Sequence, residues 1–158
     1  MYTIPINLVE NNRRGRMKLS TRGRYGVRAM IDLASHYGQG HILLKDIARR
    51  QGISDKYLEH LLISLKLAGL VKTIRGAHGG YILAKPPVQI KLSQVIKVLE
   101  GSLAPVECVD DPKICTRREL CVTRDVWKEI KEAIDKILES ISLEDLVERE
   151  KKKEQSKV

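Results

Sequence analysis

QGISDKYLEHLLISLKLAGLVKTIRGAHGGYILAKP, residues 51–86, carries the pattern that decides the fold. Gln51-Gly52-Ile53 cuts off a short helical run, Leu44 to Arg50, and Ser54 follows as an N-cap. Ile53 and Leu58 form a hydrophobic staple across that cap and set the angle at which the chain enters the next helix. This helix is expected to run to Ala68, to stop at Gly69, and to bury Leu58, Leu61, Leu62 and Leu65. Two helices joined by a short Gly-containing turn make a helix-turn-helix. Leu70 to Ile74 and Tyr81 to Ala84 then flank the glycine-dense Arg75 to Gly80, which predicts a β-hairpin with Arg75 at its tip. A hairpin directly behind a helix-turn-helix is a winged-helix layout.

Upstream, a helix is expected from Ser20 or Thr21, with Tyr25, Ala29, Met30, Leu33, Ala34 and Tyr37 on its apolar face and Gly38 at its end. Downstream, a helix capped by Ser93 should end at Gly101, followed by a loop and then a long helix from about Thr123. In that last helix Val126, Trp127, Ile130, Ala133, Ile134, Ile137, Leu138 and Ile141 recur every three or four residues, a stripe that calls for a symmetric partner helix. The fold class expected is mainly α with a small β-hairpin wing: a winged helix-turn-helix plus a long C-terminal dimerisation helix. The domain reading is 1–16, a disordered or mis-assigned extension; 17–101, the DNA-binding domain; 102–122, a cysteine-bearing loop; 123–148, the dimerisation helix and C-terminal segment; and 149–158, a charged tail whose residues 151–158 should fray. Domain and sensor are expected to form one packed unit.

The net charge of +9 is unevenly placed. Residues 17–90 hold twelve Lys/Arg against four Asp/Glu, whereas residues 91–150 hold ten against fourteen. The basic half is therefore the candidate polyanion surface. Aromatics are 4% of the chain, with no Phe, too few for a platform that stacks unpaired bases, and this favours duplex DNA. No apolar run is long enough to span a membrane, and the first sixteen residues lack the apolar centre of a signal peptide, so a cytoplasmic protein is expected.

Lys18, Arg22, Arg24 and Arg28 are candidates for phosphate contact, with Lys56, Lys72, Arg75 and Lys85 further along. For base reading the candidates lie in the first turns of the second helix, Asp55, Lys56, Glu59 and His60, because that end reaches the major groove, with Ser54 and Tyr57 as further DNA-binding candidates there. Lys56 suits guanine, Glu59 a cytosine amino group, and Arg75 a narrow minor groove. No nucleophile elbow, phosphate loop or H-E-x-x-H is present, and the four histidines are scattered, so an enzyme is not expected.

Cys108, Cys115 and Cys121 fall within fourteen residues, an odd number that makes a poor disulfide framework and a natural metal site. Thiolates suit iron-sulfur clusters and zinc, and a thiol switch stays open beside them. A cluster, [2Fe-2S] ahead of [4Fe-4S], needs a fourth ligand that the cysteine count does not supply.

MKLSTRGRYGVRAM (17–30), QGISDKYLEHLL (51–62), VKTIRGAHGGYILAKP (71–86) and VLEGSLAPVEC (98–108) together resemble the Rrf-two family of bacterial transcription regulators. CVTRDVW (121–127) and SLEDLV (142–147) extend the likeness, particularly to the branch that regulates iron-sulfur cluster assembly. The resemblance implies a homodimer on a near-palindromic operator, Cys108, Cys115 and Cys121 as cluster ligands, and control of cluster-biogenesis or related iron and sulfur genes. Two positions depart from the family pattern. The histidine ligand three residues past the third cysteine is Arg124 here, and the acidic ligand of nitric-oxide-sensing relatives is Arg24. Arginine has no lone pair to give a metal, so the fourth ligand is unassigned. The alternatives are a cluster-free repressor of cysteine or sulfur metabolism, a nitric-oxide or redox sensor, and a metal-binding adaptor that docks an acidic protein.

Overall fold

The computed structural model describes residues 19–76 and 79–156. Residues 1–16, Lys18 and His78 lie outside the described residues. Helix α1 spans Thr21–Ser35, α2 Leu44–Gln51 and α3 Asp55–Leu67. Strands β1, Val71–Ile74, and β2, Gly80–Leu83, pair antiparallel with Val71 opposite Leu83 and Ile74 opposite Gly80. Ile42 adds a bridge to β2: Tyr81 and Ile42 exchange backbone hydrogen bonds at 2.8 and 3.0 Å. Helix α4, Leu92–Glu100, follows a single 3-10 turn at Pro87–Gln89.

Residues 19–102 together with 133 onward form one compact unit, and residues 103–132 form another. The single packed unit expected from the lack of a linker is thus corrected to two. In the larger one, α1, α2, α3, α4 and the last helix enclose Met30, Leu33, Ile47, Leu58, Leu62, Leu65, Val95 and Leu143, all essentially inaccessible. Each such side chain contributes about 1.5–3 kcal/mol relative to leaving it in water. The four leucines expected to face inward from α3 all do so, and Ile53 is buried with Leu58, as a staple requires. Gly52 ends α2 in the left-handed region at φ 63°, where its amide caps the helix onto Ala48 and Arg49 carbonyls.

Three local expectations are corrected. Tyr37 leaves the apolar face, because α1 stops at Ser35 and turns there, and the ring is 47% exposed. Ser93 does not cap α4: the helix begins one residue earlier, Gln94 Oε1 accepts from the Lys91 amide at 3.0 Å, and the Ser93 hydroxyl binds Glu139. The cysteine loop contains a short helix α5, Glu107–Asp110, and a 3-10 turn at Pro112–Ile114 whose first turn is capped by the Asp111 carboxylate, accepting from the Lys113 amide at 3.0 Å.

The long helix expected from about Thr123 is α6, Val122–Ser140, and the segment after it forms a separate helix, α7, Leu143–Gln155. Leu92 donates to the Ile141 carbonyl at 2.8 Å and Leu143 to the Ile90 carbonyl at 2.9 Å, so the backbone between α6 and α7 pairs with 90–92 instead of continuing a helical ladder. Ser142 and Asp145 then close a reciprocal capping box that starts α7. Residues 151–155, expected to fray, continue α7 as exposed helix. No residue of α6 is buried; Val122, Val126 and Ile137 are 75%, 49% and 59% exposed. No helix among the described residues is long and apolar enough to cross a membrane.

Candidate DNA interface and cysteine segment

Ser54 accepts from the Tyr57 amide at 3.4 Å and leaves the first turn of α3 at the surface. Asp55, Lys56, Glu59 and His60 are exposed there, opposite the buried leucines. Tyr57 differs from them: it is half-buried and meets the Tyr25 ring edge to face, with centroids 6.2 Å apart. Arg75 is exposed at the end of β1. Burial pushes the Tyr81 phenol of β2 up, and the charge of Glu59 adds to the shift.

Arg22 and Arg24 are exposed on the first turn of α1. Arg22 also donates to Ser64 Oγ of α3 at 2.9 Å. Arg28, a candidate phosphate ligand, is engaged within the fold. It donates to the Gln51 carbonyl at 2.6 Å and to Gln51 Oε1 at 3.1 Å, with its guanidinium 5.3 Å from the Tyr25 centroid. The turn between α2 and α3 is therefore held by α1 from both sides. On the inner side Asp32, 5% exposed, takes Arg50 Nε at 2.9 Å, an Arg50 terminal nitrogen at 2.6 Å and Gln51 Nε2 at 2.9 Å. The hydrogen bond to Asp32 raises the Arg50 pKa above its already high ordinary value. Sequence reading missed Asp32, although a charge beside Leu33 on the apolar stripe of a helix was a legible sign that a buried partner had to exist.

The three cysteines are free thiols, each half-buried. Among the described residues, no group of three or more His, Cys, Asp or Glu side chains is placed to hold a metal ion. The donor chemistry suits an iron-sulfur cluster, three soft ligands close in sequence; the arrangement does not, because the sulfurs are not gathered. Arg124, in the position where a histidine ligand was sought, instead donates from Nε to the Cys108 carbonyl at 2.9 Å and fixes that backbone to the start of α6. Thr123 Oγ1 lies 3.2 Å from Cys121 Sγ. Its hydrogen bond, then that of the Arg124 amide, holds the Cys121 thiol below its ordinary pKa, with the Arg117 charge adding a smaller effect.

The profile of the family described as Rrf2, iron-dependent transcriptional regulator, matches residues 19–149. The HTH-type transcriptional regulator CymR of Bacillus subtilis is 45% identical over 130 residues, which cover 82% of this chain and 89% of that protein. Its solved structure, described as the global cysteine regulator of B. subtilis, aligns with a TM-score of 0.70 at 43% identity, covering 84% of this chain and 97% of that one. The structure of T. potens IscR also aligns with a TM-score of 0.70, at 46% identity over 84% of this chain and 87% of that one. The chain therefore belongs to the Rrf2 family of DNA-binding transcriptional regulators, which are not enzymes.

Proposed function

We propose that the chain binds duplex DNA as a cytoplasmic homodimer and represses transcription from a near-palindromic operator, each protomer laying the first turns of α3 in the major groove. The observation that carries this reading is the exposed set Asp55, Lys56, Glu59 and His60 on a helix whose opposite face is locked into the core. Lys56 would donate to guanine and Glu59 accept from cytosine, while Arg75, Arg22 and Arg24 take phosphates or the minor groove. The apolar stripe of α6, none of it buried, is covered by the same stripe of a second copy.

The signal enters at Cys108, Cys115 and Cys121. The donor set supports an iron-sulfur cluster, [2Fe-2S] ahead of [4Fe-4S], and a role in cluster-biogenesis or related iron and sulfur genes. Because the sulfurs are not gathered, loading requires residues 103–121 to rearrange, and no step is derived through the cluster. A second reading, cluster-free control of cysteine or sulfur metabolism through the thiols themselves, is favoured by the same ungathered sulfurs and by the lowered Cys121 pKa.

An anaerobic preparation separates the two. Visible absorption with iron and acid-labile sulfide supports the cluster, and a colourless protein without either overturns it. Replacing all three cysteines by Ala should abolish the response of DNA binding to signal where a cluster or the thiols carry it, whereas unchanged operator binding and unchanged response would favour a cluster-free repressor that does not use them. Gel-shifts across a salt series test the DNA reading itself, because phosphate contacts make affinity fall steeply with salt. Flat, weak binding alongside capture of an acidic protein would replace it with the adaptor reading.

A further inference from the structure

Helix α1 begins with an electrostatic problem. Its first turn contains Arg22 and Arg24 and no acidic residue, so two cations sit at the positive end of the helix dipole. Glu100 has the mirror-image problem, as the last residue of α4, where the dipole disfavours a carboxylate. The two meet. Glu100 Oε1 accepts from the Gly23 amide at 2.8 Å, from the Ser20 amide at 3.1 Å and from the Ser20 hydroxyl, while Ser20 itself caps Gly23 at 3.2 Å. A side chain from a distant helix thus adds a second acceptor at the open N-terminal end of α1 and supplies the negative charge that its arginines lack.

The approach is as close as the backbone permits. A Cβ built on Gly23 would stand 2.1 Å from Glu100 Oε1, and one on Gly26 would stand 2.1 Å from Leu99 Cδ1. Both glycines are buried against the end of α4. The orientation of the first turn of α1, and with it the exposed guanidinium of Arg24 and the Arg22 bridge to Ser64 on α3, is therefore set by Glu100.

We propose that Glu100 is a positioning residue for DNA binding: it makes no contact with DNA and holds the first turn of α1 so that Arg22 and Arg24 meet the phosphates while α3 reads the bases. This rests on the DNA-binding reading above and adds to it the residue that orients its phosphate contacts.

The test uses Gly23→Ala, Glu100→Ala and Glu100→Gln in the full chain, with a duplex selected by the unsubstituted protein from a random-sequence pool. In Gly23→Ala the methyl group collides only with the flexible end of Glu100, so the carboxylate swings away while the helix gains a better helix former. Expected are a roughly tenfold loss of affinity in Gly23→Ala and Glu100→Ala, and a salt slope smaller by about 1 for each phosphate that is no longer neutralised. The urea midpoint of Gly23→Ala should fall less than that of Glu100→Ala, because the better helix former offsets part of the lost capping. Glu100→Gln keeps an acceptor oxygen and should recover part of the affinity. Adding Gly23→Ala to Arg22→Ala/Arg24→Ala should cost little more, because the same phosphate ligands are already gone.

Parental affinity and slope in Gly23→Ala overturn the proposal, as does an affinity loss that merely follows a fall in its urea midpoint. If Glu100→Ala fails to fold, Gly23→Ala still decides. Failure of the unsubstituted protein to select or bind any duplex overturns the DNA reading together with this one, whereas a neutral variant overturns this one alone.

Discussion

Arg50 places Nε and a terminal nitrogen on the two oxygens of Asp32, at 2.9 and 2.6 Å, joining the end of α2 to the middle of α1 directly behind the turn that launches α3. The pair is lopsided: the Asp32 side chain is 3% exposed and that of Arg50 is 34% exposed. Removal of the two partners should therefore be unequal. Arg50→Ala leaves a buried carboxylate with Gln51 and, 3.7 Å from Oδ1, His36 Nδ1, and should cost about 3 kcal/mol, the lower end of the range for breaking a buried pair. Asp32→Leu lets Arg50 swing to water and should cost about 1 kcal/mol. Urea midpoints of both variants check the asymmetry, and equal losses would mean that the carboxylate is not the costly member.

Cys121 gives a second expectation. With the Thr123 hydrogen bond as the first cause of its lowered pKa, its thiolate fraction near neutrality exceeds that of an ordinary cysteine. Alkylation of the reduced, metal-free protein by iodoacetamide, followed by peptide mass spectrometry, should show the Cys121 rate rising at lower pH than a cysteine in a model peptide. Thr123→Val should move that profile upward. An unchanged profile in the variant would assign the shift to the Arg124 amide instead.

The winged helix-turn-helix was legible because its signals are local. Gly52, Ser54, the Ile53–Leu58 staple and the four inward leucines of α3 each act within a turn or two, and the hairpin is announced by its glycines. What the sequence concealed depends on partners far along the chain. Glu100 reaches Ser20 across eighty positions, and Ser93 turns to Glu139 rather than capping its own helix. The break between α6 and α7 was hidden by continuous apolar periodicity, though SLED, residues 142–145, has the spacing of a capping box. The cysteines were legible as a chemical set and not as a place, because spacing constrains which sulfurs are near in sequence and leaves their side-chain directions open.

The exposed stripe of α6 predicts the oligomeric state. Ile137, 59% exposed, and Val126, 49% exposed, would lie on a two-fold interface, where each substitution counts twice. Val126→Glu/Ile137→Glu should shift sedimentation equilibrium from twice 17.9 kDa toward 17.9 kDa. Cooperative operator binding should be lost with it, while the helical circular dichroism stays near the parental value. A variant that remains a dimer would place the interface elsewhere.

Asp145 supplies the pH test. Its pKa is held below the ordinary carboxylate value first by the Ser142 hydroxyl and then by the Ser142 amide, each 2.7 Å from Oδ2. A carboxyl group whose pKa is lower folded than unfolded stabilises the fold fully above its unfolded value, about 3.9 for Asp, and loses that stabilisation as pH falls through the folded value. Asp145→Ala should therefore be less stable than the parent at neutral pH, and the gap between their urea midpoints should narrow only below about pH 4. The loss should localise to the start of α7, where Leu143 and Val147 enter the core, and amide exchange of that turn should quicken in the variant. A gap that is constant down to the acid transition would mean that Asp145 acts through packing rather than through its charge, and the capping box would then be a consequence of the break between α6 and α7 instead of one of its causes.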